Sequence, residues 1–351
     1  MKRMLIAVFC FTAVMLLNTA FAAERPLSER KDVQQFIQQM VDKHQFDRKQ
    51  LTQWLNQASI NQKIIDSISK PAEGLPWFKY KKIFITPNRI ESGVAFWKEH
   101  QDTLKKASIE YGVPEEVIVA ILGVETFYGK HAGGHRVIDA LVTLGFDYPP
   151  RSKFFLSELE EFLLLSREEK WDPTSIKGSY AGAMGKPQFI SSSYRRYAVD
   201  FNKTGHRDLL NSPEDSIGSI ANYFKVHGWK KNQPIIFPAT VKGEQFKSLT
   251  TNLRAPKPTY SYNEIAGAGV DLGLGAGMNA NTALKGEKFA LVSMEGENGL
   301  EHWLGLDNFY VITRYNHSSL YAMAVYELSQ NIKSAYNKEK GMATKAAAKA
   351  S

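Results

Sequence analysis

Apolar residues recur at helical spacing through the first part of the chain. Val33, Phe36, Ile37, Met40 and Val41 fall at i, i+3, i+4, i+7 and i+8, one face of an amphipathic helix. Leu51, Trp54, Leu55 and Ala58 repeat the spacing. Ile60, Ile64, Ile65 and Ile68 make a third stripe, which Pro71 and Gly74 end. These short helices predict an accessory layer. The pattern continues over 96–111. Pro114 then opens a helix where its missing N–H costs nothing, and Val117, Ile118, Ile121, Leu122 and Glu125 follow. Residues 154–165 and 216–227 read as two more helices.

Between those two lies Gly178-Ser179-Tyr180-Ala181-Gly182-Ala183-Met184-Gly185, too rich in glycine for a regular element. The period changes near 233. Ile235-Ile236-Phe237, Ala239-Thr240-Val241 and Phe289-Ala290-Leu291-Val292 read as short strands. Pro256, Pro258 and the glycines of 267–277 separate them, so a small β insertion is predicted. Phe309-Tyr310-Val311-Ile312 and a helix over 318–335 restore the earlier style. The Ala/Lys-rich stretch 338–351 is expected to fray. No internal repeat is visible.

Composition narrows the classes. The 351 residues are 43% apolar and 12% aromatic, which excludes a disordered or collagen-like chain. One Cys, Cys10, excludes a disulfide scaffold and a Cys-based metal cluster. It falls in a basic start (Lys2, Arg3) followed by an apolar run from Leu5 to Leu17 and Ala20-Phe21-Ala22. That is the pattern of a secretory signal peptide cleaved after Ala22, too short for a stable span. Val8-Phe9 before Cys10 and its mid-run position argue against a lipid anchor, so a soluble exported protein is expected. Cleavage takes two basic residues from the formal +8. The remaining positive balance favours polyanions such as cell wall. No basic block with interleaved aromatics marks a nucleic-acid footprint.

Glu125 is the leading candidate for chemistry. It lies i+4 from Ile121 and i+3 from Leu122, on the apolar face of its helix. Desolvation there raises a carboxyl pKa, and a carboxyl still protonated near neutral pH can act as a general acid. A helix-end Glu that reaches solvent or caps a neighbour is the structural alternative. Ser179 and Gln188 flank the Gly-rich stretch, and a hydroxyl and an amide there can orient a sugar N-acetyl group or merely satisfy a buried turn. Ser179 has no adjacent His, so a Ser nucleophile has little support. Gly133-Gly134 between His131 and His135 disfavours a metal pair. Tyr80, Tyr128, Tyr223, Tyr310 and Tyr315 could stack on sugar rings or fill core.

These residues carry a resemblance. Gly123-Val124-Glu125-Thr126-Phe127-Tyr128-Gly129 and Tyr180-Ala181-Gly182-Ala183-Met184-Gly185 resemble the membrane-bound lytic murein transglycosylase B family. So do Gln188-Phe189, Ser192-Ser193-Tyr194, Asn222-Tyr223-Phe224, His227-Gly228-Trp229, the run from Ile312 to Ser318, and Phe84-Ile85-Thr86-Pro87. The likeness runs from about Pro76 to about Leu328. It implies a mainly α (α+β) chain: a signal peptide at 1–22, an α-helical accessory domain at 23–98 and a lysozyme-like catalytic core at 99–232. The β insertion would occupy 233–305, the return to the core 306–337 and a disordered tail 338–351.

The resemblance also implies cleavage of the β-1,4 bond between N-acetylmuramic acid and N-acetylglucosamine in peptidoglycan strands, with a 1,6-anhydromuramoyl product and no required cofactor. Glu125 matches the family's single catalytic carboxylate, and Ser179 and Gln188 match residues near the muramoyl N-acetyl group. Tyr80, Arg151, Tyr223, Tyr310 and Asn316 fall where the family lines its glycan groove. Two rival readings stay open: a lysozyme-type hydrolase with a second, unassigned acid, and a noncatalytic cell-wall binder. The latter draws only on a departure, Lys186-Pro187 where the family commonly has one residue and Gly, which changes charge and stiffness beside the cleft. A second departure is Ser191, where the family has Pro.

Relatives carry a calcium loop at the position of 200–208. Asp200, Asn202 and Gly205 fit an EF-hand-like pattern, His206 could offer its carbonyl, and Glu214 or Asp215 would close it. Thr204 replaces the fifth-position ligand, and Lys203 and Arg207 add positive charge. Calcium is therefore expected to bind weakly or not at all. For the leader, the exported protein should begin at Ala23, and an intact mass retaining an acylated Cys10 would contradict that.

Overall fold

The computed structural model describes residues 25–69, 74–249, 254–272, 284 and 286–350. The signal-peptide reading of 1–22 and Cys10 lie outside them. The first helices follow the apolar stripes: α1 Lys31–His44, α2 Arg48–Gln57 and α3 Gln62–Ile68. Asp47 and Asn61 cap α2 and α3 by accepting the N–H of Gln50 and Lys63, which satisfies donors that a helix start leaves open. Next come α4 Trp77–Phe84 and α5 Pro87–Glu99, which begins on Pro87 with Thr86 as its cap. The stretch read as one helix over 96–111 is two, because α6 Gln101–Tyr111 restarts after a break at His100. Gly112, at φ 78°, ends α6, a left-handed position that glycine takes without a Cβ penalty.

Pro114 then caps α7, Glu115–Thr126. Every residue of α7 from Glu116 to Gly123 is buried, so it is the central rod of the body rather than an amphipathic surface helix. It packs on α5 and on the last helix, Ser319–Ala350. That helix passes residue 337, where the tail was expected to become disordered. Its Ala- and Lys-rich end has high helix propensity.

α8 Val137–Asp147 and α9 Ser152–Glu168 pair against the body. A two-residue ribbon, β1 His135–Arg136 against β2 Lys177–Gly178, leads into the Gly-rich loop. α10 Ser191–Tyr197 and α11 Pro213–Val226 come next in the chain.

The β insertion is present and larger than its pattern suggested. β3 Ile236–Val241, β4 Tyr260–Ser261, β5 Val270–Leu272, β6 Lys288–Gly296 and β7 Gly299–Gly305 form an antiparallel sheet in the order β4-β6-β7-β3-β5. β3 runs straight through Pro238, just beyond the residues that pair with β5. A short helix, α12 Tyr262–Gly267, carries a capping box of Ser261 and Glu264 that the periodicity does not announce. β6 joins two cores. Phe289 and Leu291 enter the insertion's own cluster, whereas Val292 and Met294 enter the main one. Side chains alternate along a strand, so a strand buried on both faces reads as an unbroken apolar run. Apolar side chains from Val33 to Tyr336 otherwise form one continuous core.

α5 and α7 are held apart by a tyrosine. A Cβ on Gly93 would lie 2.5 Å from the Tyr128 hydroxyl oxygen, and one on Gly123 2.6 Å from it. Helix propensity alone favours Ala over Gly by about 1 kcal/mol, but here the overlap decides the sign. Gly123→Ala should lower stability by about 1–3 kcal/mol, and a calorimetric melting temperature at or above wild type would contradict this packing.

Candidate active site

Glu125 is the penultimate residue of α7, and the chain takes a strained path directly after it. Phe127, Tyr128 and Gly129 have φ of 51°, 60° and 90°. Two successive aromatic residues in the left-handed region are costly and persist only where neighbours hold them. The Tyr128 N–H donates to Leu122 O at 2.9 Å, and its hydroxyl donates to Arg89 O at 2.7 Å. The Arg89 guanidinium lies 5.0 Å from the centre of the Phe127 ring. Thr126 Oγ1 accepts the Gly129 N–H at 2.9 Å and donates to Lys186 O at 2.8 Å. The chain therefore leaves α7 by a fixed route, and Glu125 projects from a rigid end.

The Tyr321 hydroxyl donates to Glu125 Oε1 at 2.6 Å. Tyr321 is buried, and its ring stacks on Tyr315 with centroids 6.3 Å apart. Tyr315 in turn donates its hydroxyl to Pro187 O at 2.5 Å. Burial pushes the Glu125 carboxyl up to about 7, against the opposing pull of the Tyr321 bond. Burial and the Glu125 charge raise both tyrosines well above the usual phenol range, so they act as neutral donors. Among the described residues, Tyr321 alone bonds to this carboxyl, and no second carboxylate or cation perturbs it. Glu125 keeps some contact with solvent, so a ligand can reach it.

The Gly-rich loop is a tight, cross-bridged turn. Gly178 pairs with Met184, and Met184 with Phe189. Ser179 Oγ accepts the N–H groups of Ala181 and Ala183 at 3.2 and 3.1 Å, which leaves its hydroxyl proton to donate. Gly185, at φ 72°, passes so close to Leu209 that a Cβ would lie 2.3 Å from its carbonyl oxygen. Gln188, at φ 53°, donates its side-chain amide to Ala132 O and Gly185 O at 3.1 and 2.9 Å. Its amide oxygen is then the group it can offer a ligand. One candidate thus supplies a donor and the other an acceptor, the complement of an amide. Lys186 turns its ammonium onto Leu210 O and Asn211 O at 3.0 and 2.7 Å, so its charge is held by backbone carbonyls.

Beside this loop is a cavity of about 690 Å³. It brings together Arg151, Gln188, Tyr223 and Asn316 from the expected set. Tyr223 is fixed by its hydroxyl on Arg314 O at 2.5 Å and by stacking on His227 at 4.0 Å. Arg151 lies over the Phe154 ring at 4.3 Å. Among the described residues, four arginines (151, 196, 254 and 314) and no carboxylate line the cavity, which gives it a positive field. Arg254 reaches it from the β insertion. Tyr80 is placed differently: it is 3% exposed, packed between Trp77 and Phe84, and close enough to raise the Tyr321 hydroxyl. Tyr310 is half-buried beneath the Arg314 guanidinium and is not on this cavity's wall. Sequence reasoning missed Tyr321, Thr126 and Arg254. Tyr321 carries the same signal as Glu125, a polar tip on an apolar helical face.

A family model described as the transglycosylase SLT domain matches residues 28–330. The chain belongs to that family. Membrane-bound lytic murein transglycosylase B of Escherichia coli (strain K12) is 44% identical over 321 residues, 86% of this chain and 82% of that protein. Among solved structures, soluble lytic transglycosylase SltB1 from Pseudomonas aeruginosa superposes with a TM-score of 0.80 at 46% identity, covering 87% of this chain and 99% of that one. SltB3 from Pseudomonas aeruginosa, in complex with NAG-anhNAM-pentapeptide, gives 0.74 at 32% identity, over 86% and 78%. The Escherichia coli lytic transglycosylase SLT35 in complex with calcium gives 0.77 at 44% identity, over 86% and 93%. The mainly α architecture with a lysozyme-like core and a small curled sheet is the fold of this SLT family.

The candidate calcium loop of this SLT chain is tied by its own hydrogen bonds. Asp200 gives one oxygen to the Thr204 N–H at 2.9 Å and the other to the Gly205 N–H at 2.7 Å. Buried Asp215 accepts the N–H groups of Phe201, Asn202 and Asp208 at 2.8, 3.2 and 2.9 Å. Asn202 donates a side-chain N–H to Ser212 Oγ at 3.1 Å, and His206 is exposed. Among the described residues no group of three or more His, Cys, Asp or Glu side chains could hold a metal ion. These bonds use two of the roughly four lone-pair sites of Asp200 and three of those of Asp215, so the expectation of weak binding rests on the added charge of Lys203 and Arg207 rather than on filled oxygens. With a Kd on the order of millimolar, 1 mM calcium would add about 0.4 kcal/mol, about 1 °C in melting temperature for a chain of this size. A large saturable shift at micromolar calcium, lost in Asp200→Ala, would show that the loop opens to bind.

Proposed function

We propose that this SLT-family chain is an exported lytic transglycosylase. It cleaves the β-1,4 bond between N-acetylmuramic acid and N-acetylglucosamine in peptidoglycan. The observation that carries the reading is the Glu125 carboxyl, raised by burial to about 7 and, among the described residues, bonded by Tyr321 alone. Protonated Glu125 gives its proton to the glycosidic oxygen as the bond to the muramoyl anomeric carbon breaks, through an oxocarbenium-like state. The muramoyl 6-hydroxyl attacks that carbon, and the Glu125 carboxylate takes the hydroxyl proton. No water is consumed, and the acid is restored. The nucleophile is already on the sugar and held close, so one carboxyl suffices. Ser179 would hold the N-acetyl oxygen and Gln188 the amide hydrogen, with Arg151, Tyr223 and Asn316 lining the groove and Tyr80 supporting the pair at Tyr321.

Retaining hydrolysis needs a second carboxylate about 5 Å from the acid, and among the described residues no carboxylate perturbs Glu125. The noncatalytic reading rested on Lys186-Pro187, and the Lys186 charge is bound to carbonyls of 210–211. Export is inferred from the pattern at 1–22. No helix among the described residues is long and apolar enough to cross a membrane.

Digestion of purified peptidoglycan should release muropeptides lighter by one water than hydrolysis products, and Glu125→Gln should abolish that release. Turnover by the wild type should decline as pH rises through about 7, because the acid must start protonated. Stability moves the other way in the variant. The folded pKa lies above the unfolded one, so ionising Glu125 costs stability as pH rises through about 7, and below the unfolded value the cost vanishes. With solvent contact discounted, Glu125→Gln should gain on the order of 1 kcal/mol at pH 8 and less at pH 5. Near wild-type turnover in the folded variant would remove Glu125 from the mechanism.

A further inference from the structure

The dipeptide that departs from the family pattern grips the candidate acid from two sides. The Lys186 carbonyl receives the hydroxyl of Thr126, the neighbour of Glu125, at 2.8 Å. The same Thr126 oxygen receives the Gly129 N–H at 2.9 Å. The Lys186 stem lies on Gly129, where a Cβ would meet three of its carbons at 3.1–3.3 Å. The Pro187 carbonyl receives the hydroxyl of Tyr315 at 2.5 Å. Tyr315 stacks on Tyr321, which donates to Glu125. One carbonyl thus fixes the end of α7, and the next fixes the aromatic pair that supplies the acid's hydrogen bond.

Something must hold that dipeptide in turn. The Lys186 N–H donates to Leu209 O at 2.9 Å, and its ammonium donates to the carbonyls of Leu210 and Asn211. The side chain is half-buried, and Asp208 and Glu214 face its charge. A long apolar stem with three donors can span from Gly129 to the 209–211 segment, which a short side chain could not.

We propose that Lys186 is a positioning residue for the transglycosylase reaction, stapling its own backbone to the 209–211 segment so that Thr126 and Tyr315 hold Glu125 in place. The inference rests on Glu125 being the acid. Lys186 touches neither the carboxyl nor the substrate in this role. Losing its donors should let the end of α7 shift and admit water to Glu125, which would change turnover and its pH limb more than binding. The titratable groups facing Glu125 are Tyr321 and Tyr315, and Tyr80 faces Tyr321 from α4. All three are tyrosines, so near pH 7 the limb reads Glu125.

The test compares Lys186→Met, which keeps the stem and removes the donors, with Lys186→Arg, which restores them. On purified peptidoglycan, Lys186→Met should lose about tenfold in kcat with KM within about twofold. Its alkaline limb should move to lower pH, and Lys186→Arg should recover most of kcat. Thr126→Val and Thr126→Ser probe the same link from the other side, so a Lys186→Met that does not fold leaves the question answerable. Thr126→Val should show the same split, and Thr126→Ser should not. A folded Lys186→Met or Thr126→Val with wild-type kcat and an unmoved limb would overturn the inference. Absence of anhydro products from the wild type would overturn the proposed activity, and this inference with it.

Discussion

A half-buried, desolvated carboxyl with one neutral hydrogen-bond donor is the constraint around which the site is built. An isolated carboxylate in a low-dielectric site is expensive, and the usual remedy is an ion pair or a set of backbone donors. Glu125 has neither, and its proton is held by desolvation. Such a group is useful only if its surroundings cannot relax and let water in. That requirement explains α7, buried along nearly its whole length, and the left-handed exit at 127–129. It also explains the stacked Tyr315 and Tyr321, whose hydroxyls are tied to Pro187 and Glu125. Glu158 is also raised by burial, but donors oppose that rise. Buried Glu158 accepts both the N–H and the hydroxyl of Ser192 at the start of α10, where a helix N-terminus favours negative charge.

The helical body was legible because its apolar stripes are long and its punctuation strong. Pro114 marks a start that the structure uses, and the caps at Asp47, Asn61, Thr86 and Gly112, which the periodicity did not announce, are of the same kind. Glu125 was legible for a similar reason, a titratable group out of place on an apolar face. What the sequence hid is non-local. Tyr321 lies 196 residues from Glu125, and no spacing rule links them. The break at His100 carries no Gly or Pro to announce it. β5 and α12 escaped notice because a glycine-laden stretch reads as loop, and Gly267 and Gly269 sit at their junction. Tyr80, read as a sugar-stacking candidate, is packed in α4 instead, because a tyrosine's apolar ring serves a core as readily as a groove.

The β insertion and the body act on one space. β6 sends alternate side chains to the two cores, which locks the sheet to the helices. Arg254 then joins Arg151, Arg196 and Arg314 around the cavity beside Gln188. An acid that works by staying protonated does not favour a strongly cationic neighbour, since a close positive charge lowers a carboxyl pKa. The arrangement separates the two demands. None of these arginines perturbs Glu125, yet together they give the adjoining groove its positive field. Positive charge and the burial that holds a proton thus occupy different walls.

A departure from a family pattern has its meaning in the contacts it makes. On the sequence, Lys186-Pro187 reads as a change of charge and stiffness beside the cleft, where the resemblance leads one to expect a glycine. In the fold, the charge is spent on Leu210 O and Asn211 O. The proline needs no N–H there, and its carbonyl anchors Tyr315. Gln188 still reaches Gly185 O and Ala132 O, at a φ of 53° that it tolerates without being glycine. A glycine at 187 would give this turn more freedom in the unfolded chain and more to lose on folding. Proline with a tethered lysine fixes this turn by restriction, and the surroundings of Glu125 depend on the turn's geometry.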